Sequence, residues 1–269
     1  MIKKIFQIYK EESLKGIKRR LIIRFWLIKF IIFKFFKWKV VNSYYGVKLN
    51  ANYDDATFKF YMIGSYGDDY WKHISDKTQP FIFLDIGANQ GLYTLCALMN
   101  KNCISCFSFE PVSKTFALLR KNVTVNDLST KCHLVNKAIT NKSGFYDISI
   151  KANHSGVATM HPRNDLVSES NNNIETIEAI SCIELENLIE NREKVGLVVK
   201  IDVEGSEMNV ITELLKTQLA NEINEIYFEV NEKWVDYNDI EILLKSNGYK
   251  FFSKTLADTR HYDVYARKQ

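Results

Sequence analysis

The stretch Phe81-Ile-Phe-Leu-Asp-Ile-Gly-Ala-Asn-Gln-Gly91 decides how this chain folds. Four apolar residues, Phe81 to Leu84, suit a strand covered on both faces. Asp85 ends the apolar run, and Gly87 and Gly91 bracket a turn. Leu92 to Leu98 then reads as a helix. A glycine lets the backbone approach a bound molecule or take positive φ, and the helix start behind it offers unpaired N–H groups. A dinucleotide loop would carry G-x-G-x-x-G. Here Asn89 stands at the second glycine and Leu92 near the third, so the close turn around a pyrophosphate is missing. The D-x-G-x-x-x-G spacing predicts a cofactor loop of another kind.

Working outward, Cys103 to Phe109 is a second apolar strand ending in Glu110-Pro111. An acid at the tip of the second strand of a doubly wound sheet can accept from both hydroxyls of a ribose. Ser113 is the expected N-cap of a helix over Lys114 to Asn126. Further strands are predicted over 131–136, 196–201 and 224–230, with helices over 184–191, 207–219 and 237–247, and Gly248 closing the last. Residues 144–150, 156–160 and 176–181 read as an antiparallel excursion, with a mobile loop over 163–178. Residues 249–253 and 261–267 close the sheet. Strands alternating with helices give an α/β, doubly wound, mostly parallel Rossmann-like sheet.

Several strings in order resemble the FkbM-type methyltransferase family: Asp85-Ile-Gly-Ala-Asn-Gln-Gly, Phe109-Glu-Pro, Leu119-Arg-Lys-Asn122, Asn126, Asn136-Lys-Ala138 with Ser143-Gly144, Lys200-Ile-Asp-Val-Glu-Gly-Ser-Glu207 and Ile226-Tyr-Phe-Glu229. They span about Pro80 to Phe252, and the Lys-Ile-Asp-Val-Glu-Gly-x-Glu string is the most specific. The resemblance implies an antiparallel C-terminal strand and S-adenosylmethionine (SAM) as cofactor. It places Asp85, Gly87, Asn89, Gly91, Glu110, Asn136 and Ala138 around that cofactor. It also implies an O-methyltransferase acting on sugars, polysaccharide precursors, natural products or lipids.

Carboxyl ends of parallel strands converge on the ligand crevice. Asp202 and Glu204 follow the fourth main strand, and Glu229 and Asn231 the fifth. Methyl transfer from a sulfonium is an in-line displacement, so positioning dominates. A base that takes the hydroxyl proton adds roughly 10²–10⁴-fold. Asp202 is the first candidate base, Glu204 the next, and His154 in a Ser/Gly-rich loop a secondary one. Lys200 neutralises part of the acid cluster and, with Glu229 and Asn231, is read toward the acceptor. Glu207 is read as charging the first turn of its helix. A Mg²⁺ variant through Asp202, Glu229 and Asn231 is conceivable from hard oxygen ligands, but the reading adopted has no metal.

The net charge of +4 hides an asymmetry: residues 1–40 hold 12 Lys/Arg and 2 Glu, a local +10, which leaves −6 for the remainder. That division gives three expected regions: a basic, aromatic helical arm over 1–40, a Tyr-rich lead-in over 41–79 and a SAM-binding domain over 80–269. Arg24, Lys29 and Lys34 interrupt the apolar runs of the arm, and each costs roughly 2.5–3.5 kcal/mol at a bilayer centre, against a spanning helix. Those three cations scatter around a single helix, so the arm reads as not cleanly amphipathic. An anionic membrane surface and packing on protein, this body or a second copy in a homo-oligomer, both stay open as its partner. The lead-in reads as a hairpin and helix beside the cofactor cleft, whose aromatics cover a sheet edge or, if the cleft opens beside them, stack with its acids on a sugar. Five cysteines without an export signal suit reduced, buried thiols and the cytoplasm, at the inner face of the membrane if the arm binds lipid. Cys103-x-x-Cys106 has no second pair at zinc spacing and is read as packing.

The leading expectation is therefore O-methylation of a saccharide or glycolipid precursor. A nucleic-acid methyltransferase gripping phosphates through the arm, and a non-catalytic SAM-fold module, are the alternatives. Nucleic acid fits less well, because the loop after the fourth strand is acidic and proline-free.

Overall fold

The computed structural model describes residues 14–66, 70–160, 172–190, 192–255 and 260–268. In chain order the elements are α1 (Leu14–Phe35), β1 (Val40–Asn42), β2 (Lys48–Asn50), α2 (Ala56–Ile63), α3 (Tyr70–Ser75), β3 (Phe81–Ile86), α4 (Leu92–Met99), β4 (Cys103–Phe109), α5 (Ser113–Val125), β5 (Cys132–Val135), β6 (Ala138–Thr140), β7 (Gly144–Lys151), β8 (Asn172–Ser181), α6 (Cys182–Leu188), β9 (Leu197–Ile201), α7 (Glu207–Leu214), β10 (Ile223–Asn231), α8 (Tyr237–Ser246), β11 (Phe251–Lys254) and β12 (His261–Arg267).

Seven strands form the central sheet in the order β11-β12-β10-β9-β3-β4-β5. β5, β4, β3, β9 and β10 run parallel, and β12 runs antiparallel between β10 and β11. The winding reverses between β3 and β9, where a doubly wound sheet opens its crevice. The α/β sheet with its antiparallel C-terminal strand is the architecture expected from the sequence.

Alternation along β3 divides the core. Ile82, Leu84 and Ile86 face α6, α7 and α8, packing with Leu185, Ile211 and Leu244. Phe81 and Phe83 face α3 and α4, packing with Ile74, Tyr93 and Ala97. Asp85 continues the second face, and this parity governs its role below.

Local chemistry departs from expectation at several joints. Ser113 does not cap α5: Val112 is the N-cap residue, and its amide donates to Glu110 Oε1 at 2.9 Å. The Ser113 hydroxyl donates instead to Glu175. The helix after β9 stops at Leu214, with a separate 3-10 turn at Gln218–Asn221. Residues 155–157 form a 3-10 turn, and only Thr159 bridges to β7. The loop expected over 163–178 falls partly outside the described residues, and from Asn172 it is the first half of β8, paired along its length with β7. Gly248 adopts φ +87 after α8, as a left-handed C-terminal glycine should.

The lead-in packs on both helices and sheet: Leu134 of the edge strand β5 joins its cluster, and Tyr70 of α3 stacks on Tyr227 of β10. Val41, Leu49, Phe58 and Met62 pack against Leu92, Leu95 and Leu119 of α4 and α5, and Phe30 of α1 joins them. Among the described residues of the arm, Leu14–Phe35 form a 22-residue helix with one face in that cluster. Among the described residues no helix is long and apolar enough to cross a membrane. All five cysteines are free thiols, four of them buried, and burial pushes Cys96 and Cys103 up to about 12.

Candidate active site

The site is built at the carboxyl ends of β3, β4, β9 and β10. After β3 the chain turns through Gly87 (φ +80), Asn89 (φ 50) and Gly91 (φ +92). Gly87 is dictated by contact as well as conformation. A Cβ there would lie 1.8 Å from the Asp202 carbonyl oxygen, and the Asp202 amide donates to Ile86 O at 3.0 Å. The two loops are laced together at the switch point.

Glu110 holds the loop from the neighbouring strand. Oε2 accepts from the Asn89 amide and Oε1 from the Val112 amide, both at 2.9 Å. Each carboxylate oxygen keeps a second lone pair, and Glu110 lines the hollow beside it. Burial pushes its carboxyl up to about 7, against the two amides. Gly87, Asn89 and Ala138 line the same hollow, with Phe109, Ile139 and Ile148 as apolar walls. It encloses about 630 Å³, part of it open to solvent.

Three residues expected at the cofactor do not line this hollow. Asp85 is fully buried beneath the loop, because strand parity turns it toward α4. There it accepts from Thr94 Oγ1 at 2.6 Å and faces Lys200 Nζ at 3.5 Å. Burial raises its pKa, with Lys200 opposing. Asn136 donates to the Glu110 and Pro111 carbonyls and so fixes the β4 tip. Gly91 is the left-handed start of α4, packed on Leu119.

A second hollow adjoins the first. Tyr66, Gly156, Asp202 and Glu204 line both, so the two cavities meet there. Beyond that junction the walls are Phe60, Tyr93, His154, Tyr227, Glu229, His261, Tyr262 and Asp263. Asp202 sits at the centre: its Oδ2 accepts from the Tyr66 hydroxyl at 3.0 Å and lies 3.3 Å from Lys200 Nζ. Lys200 is buried, lines neither hollow and donates to Gly87 O at 2.6 Å. Burial works to lower its pKa, but Asp202 and Asp85 outweigh it and the net shift is upward. Lys200 is thus the counter-charge expected of it, but it does not line the acceptor-side hollow toward which it was read. Asn231 also falls outside the second hollow and accepts from the Lys233 amide.

Glu204 occupies the left-handed region (φ 52) ahead of Gly205, with its carbonyl taking a bond from Thr159 Oγ1 at 2.7 Å. Glu207 turns back and accepts from the Val203 and Gly205 amides, which locks this loop. Glu229 and His261 share a 2.7 Å contact. Burial, reinforced by Asp202, pushes Glu229 up to about 7, and the bond to Glu229 raises His261. The proton between them therefore belongs to the pair. Burial also pushes Asp263 up to about 6. Ligand atoms of Asp202, Glu204 and Glu229 come within 4.8 Å of one another, so these three acids could hold a hard cation.

Sequence reasoning missed Asp55, Gln90, Ser155, His261 and Asp263, and had Tyr66 only among the lead-in aromatics. Asp55 caps α2 and accepts from Gln90 Nε2 and the Ser155 amide, both at 2.8 Å, while Ser155 reaches Asn89 Oδ1 at 2.9 Å. The 155–157 turn is thereby tied to the cofactor loop. An Asp before the segment 57–63 signals a helix start, but nothing local signals its partners 35 and 100 residues away.

With this geometry in place, comparison decides the family. The profile of the Methyltransferase FkbM domain matches residues 85–251. The chain belongs to the FkbM methyltransferase domain family. It is a SAM-dependent methyltransferase. No curated protein matches the chain. Among solved structures, M. capricolum TrmK in complex with S-adenosyl-homocysteine is similar over 74% of this chain and 68% of its own, at 14% identity and a TM-score of 0.44. A human methyltransferase 10 domain containing protein is similar over 95% of this chain and 98% of its own, at 11% identity and a TM-score of 0.49. For this FkbM-domain chain, the residues around the first hollow fit an adenosyl ligand: a buried carboxylate with spare acceptors at Glu110 and an apolar slot beside Phe109 and Ile139.

Proposed function

We propose that this chain methylates a hydroxyl of a saccharide or glycolipid precursor. The observation that carries the reading is the acceptor-side hollow, walled by Phe60, Tyr66, Tyr93, Tyr227 and Tyr262 and by the acids Asp202, Glu204, Glu229 and Asp263. Tyrosine side chains and carboxylate acceptors suit a neutral polyhydroxylated ring. The same acids repel the phosphates of a nucleic acid, which disfavours that alternative at this cleft.

SAM supplies an electrophilic methyl group when bound. The chain's own residues do the rest. Glu110 would accept from the ribose hydroxyls, while Asn89 and Gly87 would shape the loop around the donor. Asp202 would take the proton that the acceptor hydroxyl loses on methylation. Its Oδ2 is held by Tyr66 and Lys200, which leaves Oδ1 toward the hydroxyl. Lys200, buried below, holds Asp202 in place through its 3.3 Å contact with Oδ2. Glu204 and Glu229 hold neighbouring hydroxyls, and His261 fixes Glu229. His154 lines the acceptor wall beside Phe60 and contributes shape there.

The test is tritiated-methyl transfer from SAM into glycan, glycolipid and nucleic-acid pools, with Asp202→Asn and Glu204→Gln as controls. Label in the glycan or glycolipid fraction, cut roughly 10²–10⁴-fold in Asp202→Asn with SAM binding retained, is the expected outcome. Label confined to nucleic acid, or full turnover in both variants, overturns the reading.

A further inference from the structure

We propose that the outer face of α1 docks on the surface of a bilayer carrying anionic headgroups, with the helix lying in the plane of that surface. The inference starts from a helix with two apolar faces. Trp26, Leu27, Phe30 and Phe33 turn inward, and Phe30 is only 6% exposed. On the far side Leu21, Phe25, Ile28, Ile32 and Phe35 are all exposed, Leu21 at 59% and Phe35 at 78%. At about 100° per residue these five fall within an arc of roughly 80°, a continuous stripe along the helix. Apolar stripes of this length on a folded protein mark an interaction surface.

The cations identify the occupant. Between Lys18 and Lys39 the chain has eight Lys/Arg and no Asp or Glu. Arg24 and Lys29 border the stripe on its two sides. Lys29 lies over the Trp26 ring at 3.9 Å, its stem along the helix. Lys37 and Lys39 flank exposed Phe36 and Trp38 at the helix end. A second copy of this chain laid on the stripe would set cation against cation along both seams. A sheet of anionic headgroups neutralises both seams while the stripe enters the acyl boundary, with long side chains snorkelling outward. Such a surface also explains an arm that looks unpatterned in sequence: one face serves the body, the other the bilayer.

Flotation of the full chain with vesicles tests the proposal. Phosphatidylglycerol mixed into phosphatidylcholine is compared with phosphatidylcholine alone, at low and high salt, for the natural chain and for Phe25→Ser, Ile28→Ser and Phe35→Ser combined. SAM binding and thermal unfolding serve as fold controls, because all three side chains face outward. The expected result is partition to the anionic vesicles that drops at least about tenfold in the triple variant and in high salt. Equal partition of natural chain and triple variant overturns the proposal. So does a natural chain that ignores vesicles but forms a dimer, by light scattering, that the triple variant dissolves.

Discussion

The carbonyl oxygen of Asp202 occupies the space that a side chain on Gly87 would need: a Cβ there would stand 1.8 Å from it. This contact joins the tips of β3 and β9, so the loop that shapes the donor hollow and the residue proposed as base share one backbone seam. Neither can move without the other.

Gly87→Ala tests that seam. The substitution adds a methyl group against a backbone carbonyl and places alanine at φ +80, a region costing an L-residue about 1–2 kcal/mol before any clash. SAM affinity by calorimetry should fall at least about tenfold, and the unfolding midpoint should drop by several degrees. Natural affinity in Gly87→Ala would show that the seam is not needed.

Lys200 connects the same parts from below, with Nζ between Gly87 O, Asp85 and Asp202. Lys200→Met keeps the volume and leaves two carboxylates in a buried pocket without their counter-charge. Removing one partner of a buried ion cluster costs about 3–5 kcal/mol. Denaturant unfolding should register that loss, and adding Asp85→Asn should recover part of it. A fully stable Lys200→Met would place the balancing charge elsewhere.

Much of this arrangement can be read from local sequence. The apolar run 81–84, the glycines at 87 and 91 and the acid after β4 give the sheet, the loop and the donor hollow, because strand burial and turn chemistry are short-range effects. What could not be read is long-range pairing and parity. Asp85 looks like a ligand until the alternation of β3 turns it to Thr94. His261 and Asp263 reach the acceptor wall only because β12 runs antiparallel beside β10, setting Asp263 opposite Glu229 and His261 opposite Asn231. The arm misleads for a related reason: two apolar faces cancel the periodicity that a one-faced helix displays.

Glu110 predicts a pH dependence. Its folded carboxyl stands near 7 because burial disfavours the charge, whereas an exposed Glu titrates near 4.5. Between those values the folded state holds a proton that the unfolded chain has lost. The ligand-free protein should therefore lose a few kcal/mol of stability from this group as pH rises from about 4.5 to 7. Ribose hydroxyls that donate to the ionised form reverse the preference, so SAM should bind more tightly as pH rises toward 7 and release a proton below it. Calorimetry at pH 6.5 in two buffers of different ionisation enthalpy measures that proton, and Glu110→Gln should abolish its release. Proton uptake on binding would contradict the assignment.

Asn122 offers a test at a distance from the chemistry. It is fully buried on α5, with Nδ2 donating to Gln90 O at 2.8 Å and Oδ1 accepting from the Asn50 amide at 2.7 Å. One side chain thus ties β2 of the lead-in to the donor loop. Asn122→Ala strips both partners at once, and each buried polar group left unpaired costs about 1–3 kcal/mol. Unfolding in urea should show a loss of about 3 kcal/mol, the midpoint falling without a large change in slope. Because Gln90 also reaches Asp55 and Ser155, the loosened loop should weaken SAM binding while a saturating donor restores turnover. A variant that loses turnover even at saturation would instead place Asn122 in the transfer step itself.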